Sequence, residues 1–121
     1  MESLERAMKR GAPIVAEYLG GAVNCDAHYM TDPRADGVGV SSRIDSCLED
    51  AGVSPEEVNY INAHATSTLE GDLAEINAIK KVFKRTSGIN INATKVRRHH
   101  LLNTAISCIG LLCISPIVKV L

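Results

Sequence analysis

Residues 54–95 read SPEEVNYINAHATSTLEGDLAEINAIKKVFKRTSGININATK, and the period of their apolar positions changes twice. Val58–Ala63 is short, bounded, and rich in strand formers, so it predicts a strand. The four residues before Val58 form a helix-start signature. Ser54 is placed to cap, Pro55 occupies the first helical position, and Glu57 completes a capping box. Asp72 and Glu75 predict a second helix start, with Asp72 as N-cap and Glu75 reaching back to the open amide. An apolar stripe at helical spacing follows through Leu73, Ile76, Ile79 and Phe83. Gly88 is expected to end that helix, and Ile89–Ala93 to form a second short strand. Strand, helix and strand in this order imply an α/β fold with a crossover connection.

Upstream, residues 2–9 predict the end of a helix with Leu4, Ala7 and Met8 on one face, stopped by Gly11 and Pro13. Ile14–Leu19 predicts a strand ended by Gly20-Gly21. Residues 24–39 (NCDAHYMTDPRADGVG) carry turn formers throughout and predict a long loop. From Val40 the helical period returns in Val40, Ile44, Cys47, Leu48 and Ala51, closed by Gly52. Downstream, Lys95-Val96-Arg97-Arg98-His99-His100 is basic, and Leu101–Val118 holds no charge. Asn103, Thr104, Ser107, Gly110, Ser115 and Pro116 dilute that run, so a buried core helix or an ill-folded tail is expected rather than a membrane span.

At 121 residues the chain has the length of one domain. With one Phe, three Tyr and no Trp, its core must rest on Ile, Leu, Val and Ala. A net charge of −1 supplies no global field for nucleic acid or an anionic membrane, and neither is an expected partner. The four cysteines, Cys25, Cys47, Cys108 and Cys113, form no C-x-x-C pair and follow no secretory signal, which fits a reducing compartment. Cys25 and Cys47 are expected to be small core or loop residues. The spacing of Cys108, Cys113, His99 and His100 matches no common zinc pattern, so no metal site is expected. The basic run is expected to be a solvated flank, and Gly37-Val38-Gly39 follows no strand and is no nucleotide cradle.

The residues with chemistry cluster in Asn62-Ala63-His64-Ala65-Thr66-Ser67-Thr68. His64 falls at the end of a predicted strand and Thr66 and Thr68 in the loop beyond it. Lys95 falls at the end of the next strand, and sites in open α/β sheets lie beyond the carboxyl ends of strands.

The run VNYINAHATST, the following Gly71-Asp72 and Glu75, and INATK resemble the β-ketoacyl-acyl-carrier-protein synthases, the condensing enzymes of fatty-acid synthesis, particularly the plant plastid form. So do RGAPIVAEYLGGAVNCDA, MTDPRADG and EDAGVSPEEVNYINAH, and the similarity runs from Met1 to Lys95. The resemblance implies a partial thiolase-like fold, two similar α/β halves packed in five layers, with this chain forming part of the second half. It implies decarboxylating Claisen condensation of an acyl thioester with malonyl-carrier, without a cofactor. It further implies acyl-carrier protein and acyl and malonyl thioesters as partners, a family homodimer, and a plastid location. The N-terminus shows no transit peptide, so the chain is expected in the cytosol if made alone.

By the same resemblance, His64 corresponds to the first catalytic histidine, which hydrogen-bonds the thioester oxygen. Thr66 and Thr68 correspond to the hydroxyls that hold the pantetheine arm, Lys95 to the family lysine, and Asp72 and Glu75 to the acids near it. The nucleophilic cysteine and the closing glycine-rich strands are expected to lie outside this chain, leaving it inactive in isolation. Three departures stand out. His28-Tyr29 inverts the usual order, and Ala65 replaces a glycine of bacterial members, as in plant forms. After Lys95 the family pattern Ser-Met-x-Gly-His-x-x-Gly-Ala gives way to VRRHHLLNTAIS. His100 stands where the second catalytic histidine would, without the flanking glycines. Lys-Val-Arg can be encoded AAG-GTA-AGA, a splice-donor sequence, which divides the chain into a family-like part (1–95) and a divergent apolar tail (96–121) of intron origin. The rivals are a non-catalytic fragment that associates with full-length synthase subunits, a diverged small enzyme using Cys25 or another cysteine with His64, and a tail-anchored membrane protein.

Overall fold

The computed structural model of the chain describes residues 1–30, 32–93 and 115–120. Helix α1 (Leu4–Lys9) leads to strand β1 (Ala16–Ala22) and, after a long loop, to helix α2 (Val38–Ala51). A single 3-10 turn (Pro55–Glu57) precedes strand β2 (Tyr60–Asn62), helix α3 (Leu69–Val82) and strand β3 (Asn90–Asn92). Strand β4 (Ser115–Val120) is the last described element. Strands β2 and β3 pair in parallel, Tyr60 with Asn90 through Asn62 with Asn92, so α3 is the expected crossover helix. Strands β1 and β4 pair antiparallel from Ala16↔Val120 to Ala22↔Ser115, with a register shift between Tyr18 and Gly20.

The core lies where the two long helices meet the parallel strands. Leu48 from α2, Ile79 from α3 and Phe83 just beyond α3 are buried together, with Ile44, Val53, Val58, Ile61, Val82 and Ile89 packed around them. The core is aliphatic apart from Phe83, the one phenylalanine of the chain, which the expectation of an Ile, Leu, Val and Ala core did not include. Cys47 is buried, with its thiol directed to the Gly20 carbonyl, while Cys25 is exposed, and neither forms a disulfide.

Several boundaries differ from the sequence expectation for identifiable reasons. Gly20 and Gly21 continue β1 instead of ending it, because α2 lies directly upon them. A Cβ at Gly20 would stand 2.7 Å from the Ala51 nitrogen, and the Gly21 N–H donates to Asp50 Oδ2 at 3.0 Å. Helix α2 starts at Val38, two residues before the apolar stripe, because the Asp36 carboxylate accepts the Val38 N–H at 3.1 Å. Arg34, hydrogen-bonded to Asp36, and that N–H together hold the Asp36 carboxyl well below its ordinary value, at about 2.

Helix α3 begins a turn earlier than expected. Thr68 is the N-cap, and Asp72 lies inside the first turn, its N–H donating to the Thr68 carbonyl at 2.9 Å. The buried face of α3 is Ala74, Ala78, Ile79 and Phe83, whereas Leu73 and Ile76 are about half exposed at 50% and 45%. Small residues win this face because the start of α2 comes close: a Cβ on Gly37 would meet the Ala74 carbonyl at 2.5 Å. Helix α3 ends at Val82, before Gly88. The tail segment 115–120, read as helix or ill-folded, is a strand. Ile117, Val118 and Val120 are β-branched, and Pro116 takes a place near the start of an edge strand. Among the described residues no helix is long and apolar enough to cross a membrane.

Gly37 and Gly52 both bracket α2 at positive φ, 64° and 63°, but only Gly37 faces a neighbouring backbone. Gly52→Ala is expected to cost about 1–2 kcal/mol from the left-handed conformation alone. Gly37→Ala is expected to cost about 2–4 kcal/mol because overpacking adds to that strain. Urea midpoints of the two variants check the order, and equal midpoints would refute the close contact.

Candidate functional site

His64 follows directly on the carboxyl end of β2. The ladder with β3 extends one residue past the strand, where the Ala63 N–H donates to the Asn92 carbonyl at 2.7 Å. The chain then leaves the sheet, and the next two amides have no strand to bond. Glu75 takes both: His64 N–H donates to Oε1 at 2.7 Å and Ala65 N–H to Oε2 at 2.9 Å. Glu75 lies one helical turn beyond Gly71-Asp72 on α3, so a carboxylate on a helix fixes the backbone of the loop that carries the histidine. Sequence reasoning placed Glu75 at this site, as a helix-capping residue and as an acid near Lys95, which lies outside the described residues. The carboxylate serves the loop instead.

The loop itself is strained. Ala65 has φ 34° and Ser67 φ 66°, both in the left-handed region that non-glycine residues seldom occupy. For Ala65 this explains why a glycine suits the position, as the resemblance suggested. The turn brings the hydroxyls of Thr66 and Thr68 within 3.1 Å of each other on the exposed side. Thr68, although it is the N-cap of α3, makes no side-chain capping bond. His64, Thr66, Thr68, Asp72 and Glu75 therefore come together where β2 hands over to α3.

Asp72 contributes an unusual feature. Its Oδ1 is buried and has no hydrogen-bond partner among the described residues. A buried carboxylate oxygen left unpaired is costly and favours a nearby cation or donor. Lys95 and His100 lie outside the described residues. Strand β3, which leads towards Lys95, runs parallel to β2, which leads to His64. Among the described residues no group of His, Cys, Asp and Glu is arranged to hold a metal ion. His28 and Tyr29, in the inverted pair, are both exposed in the loop before α2.

The family description "Beta-ketoacyl synthase, C-terminal domain" matches residues 15–115. The chain is 85% identical over 105 residues to the chloroplastic 3-oxoacyl-[acyl-carrier-protein] synthase I of Arabidopsis thaliana, covering 87% of this chain and 22% of that relative. It is 43% identical over 103 residues to 3-oxoacyl-[acyl-carrier-protein] synthase 2 of Staphylococcus aureus, covering 84% of this chain and 26% of the other. Among solved structures it is similar to a type II PKS ketosynthase in complex with its acyl-carrier protein. There the TM-score is 0.73 at 48% identity, over 78% of this chain and 23% of that one. A β-ketoacyl synthase from Burkholderia phymatum matches with a TM-score of 0.68 at 38% identity, over 78% of this chain and 22% of that one. The chain thus spans about a quarter or less of each of these proteins.

Replacing Glu75 tests the loop anchor. Glu75→Ala strands two half-buried amides and is expected to cost about 2–4 kcal/mol, at the charge-assisted end of hydrogen-bond contributions. Glu75→Gln keeps one acceptor and is expected to cost less. Urea unfolding gives the magnitude. Hydrogen exchange at the His64 and Ala65 amides gives the location, and unchanged exchange there in Glu75→Ala would remove the anchor.

Proposed function

The chain belongs to the β-ketoacyl synthase family, as part of its thiolase-like C-terminal domain, and from that membership we propose that it supplies the malonyl-activating part of a 3-oxoacyl-[acyl-carrier-protein] synthase site. The reaction is a decarboxylating condensation. The C–C bond to the malonyl carboxylate breaks, carbon dioxide leaves, and the electron pair moves towards the thioester carbonyl to give an enolate. The enolate carbon then attacks an acyl thioester held on a cysteine outside the family-like residues of this chain, and as the carbonyl re-forms the C–S bond breaks and the cysteine leaves as its thiolate.

In this proposal His64 is the catalytic donor. Negative charge gathers on the thioester oxygen as carbon dioxide departs, so a fixed imidazole N–H stabilises the transition state more than the ground state. The carrying observation is the double hydrogen bond from the His64 and Ala65 amides to Glu75, which fixes the backbone behind that imidazole. A donor acts by preorganisation, and a loosely held loop would forfeit it. Thr66 and Thr68 hold the pantetheine arm by their paired hydroxyls. Lys95 is the proposed cation for the buried oxygen of Asp72 that has no partner among the described residues. His100 takes the place of a second histidine in position only.

Acyl-carrier protein is the proposed macromolecular partner, supported by the ketosynthase complex among the structural relatives. A homodimeric parent and a plastid location are proposed on the same footing, the latter supported by chloroplastic relatives from Arabidopsis thaliana and Hordeum vulgare. Residues 96–121 are proposed to be a divergent tail read from a retained intron. Genomic sequence lacking a splice donor after the Lys95 codon would end that proposal.

Grafting tests the catalytic part. Residues 1–95 placed in the matching segment of a plastid synthase I are expected to sustain condensation. His64→Ala in the graft is expected to lower kcat about 10²–10³-fold while acylation of the cysteine continues. An unchanged rate with His64→Ala would defeat the role given to His64.

A further inference from the structure

We propose that Gly71 is a positioning residue. By carrying no Cβ, it lets the Thr68 hydroxyl stand in the rotamer that pairs it with Thr66, presenting both hydroxyls together to a polar group of a bound thioester arm. The inference rests on the assignment of Thr66 and Thr68 to the pantetheine arm and adds the residue that sets their geometry.

Glycine ordinarily has one of two structural reasons. It adopts a positive φ, or it lets another element come close. Neither applies to Gly71. It lies in the first turn of α3 with no left-handed φ. The heavy atoms nearest to a Cβ built there are Thr68 Oγ1 at 2.5 Å, Thr66 Oγ1 at 3.7 Å and Thr68 Cβ at 3.8 Å. Among the described residues no packed helix or strand requires the missing carbon. Only the hydroxyl pair does.

The surrounding residues give the same indication. Alanine would favour the helix more than glycine at this position. Thr68 forgoes the capping bond that an N-cap threonine normally makes to the first-turn amides. Ser67 holds a left-handed φ of 66° between the two threonines. Three local preferences are set aside within five residues, and the Thr66–Thr68 contact at 3.1 Å is what they jointly permit. A Cβ at position 71 leaves the helix intact but forces Thr68 to turn about χ1, which carries Oγ1 away from Thr66. The cost falls on the hydroxyl pair and spares the fold.

The test uses Gly71→Ala in the full 121-residue chain. Three-bond couplings to the Thr68 methyl carbon report its χ1. The expected result is a change of rotamer with a Tm that does not fall. Pantetheine, titrated by chemical shift, is expected to bind about tenfold more weakly, the equivalent of one lost hydrogen bond. Thr68→Val should weaken binding by a similar factor, and the double variant should be no weaker than Thr68→Val alone. An unchanged rotamer, a lowered Tm, or additive losses in the double variant would each overturn the assignment. Should the parent chain bind no pantetheine while the rotamer still switches, the ligand assigned to the threonines falls and the positioning by Gly71 stands.

Discussion

One carboxylate decides what this chain can do. At the end of a parallel strand the backbone must leave the sheet, and its amides lose their ladder partners there. Such an end is convenient for chemistry because side chains emerge from it, but the freed N–H groups make it loose. Glu75 resolves the conflict by accepting the amides of His64 and Ala65 together. The loop thereby inherits the rigidity of α3, which is itself fixed by Ala74, Ala78, Ile79 and Phe83 in the core. A chain of contacts runs from Leu48 and Phe83 through α3 to the backbone beneath an imidazole.

The rigidity coincides with local strain. Ala65 and Ser67 occupy the left-handed region, Thr68 caps nothing, and Asp72 buries an oxygen without a partner among the described residues. Elsewhere the chain follows ordinary rules. Ser54 and Glu57 form the capping box that their spacing predicts, and Gly52 ends α2 in the left-handed conformation expected of a C-cap. Among the described residues one other non-glycine residue, Ala27 in the loop before α2, is left-handed, but only residues 65–72 gather several such departures, as segments with a functional role often do.

Much of this was legible in the sequence. The period of Ile44, Cys47, Leu48 and Ala51 located α2, and the composition of Val58–Ala63 located β2, because both depend on local pattern. His64, Thr66 and Thr68 were singled out through the motif around them, and the structure places all three between β2 and α3. What escaped were effects of close approach. Gly20-Gly21 looks like a strand end until α2 is laid upon it. Leu73 and Ile76 look like a core stripe until the contact between α2 and α3 turns Ala74 and Ala78 inwards. Asp72 looks like an N-cap because aspartate suits that position and Glu75 follows three residues on, and nothing in one dimension shows that the helix starts at Thr68 instead. The role of Glu75 was invisible for the same reason: its partners are backbone amides ten and eleven residues away.

The exposed residues say where the remaining packing lies. Leu69, Leu73 and Ile76 on α3, Tyr60 on β2 and Ile91 on β3 are all large, apolar and about half exposed or more. Isolated exposed apolar residues are ordinary, but these lie on the very elements that carry the site. An α/β unit buries its sheet between layers, and the strands here have one well-formed core on the side of α2 and α3. The chain also spans no more than about a quarter of its matched relatives. Together these facts separate two properties that a whole enzyme would merge. The segment from His64 to Glu75 is held by contacts internal to the chain, whereas the apolar surface beside it is exposed among the described residues. Anchoring of the backbone that carries His64 is thus a local property of this sequence, while a dry setting, in which a hydrogen-bond donor has its full effect, takes a further layer.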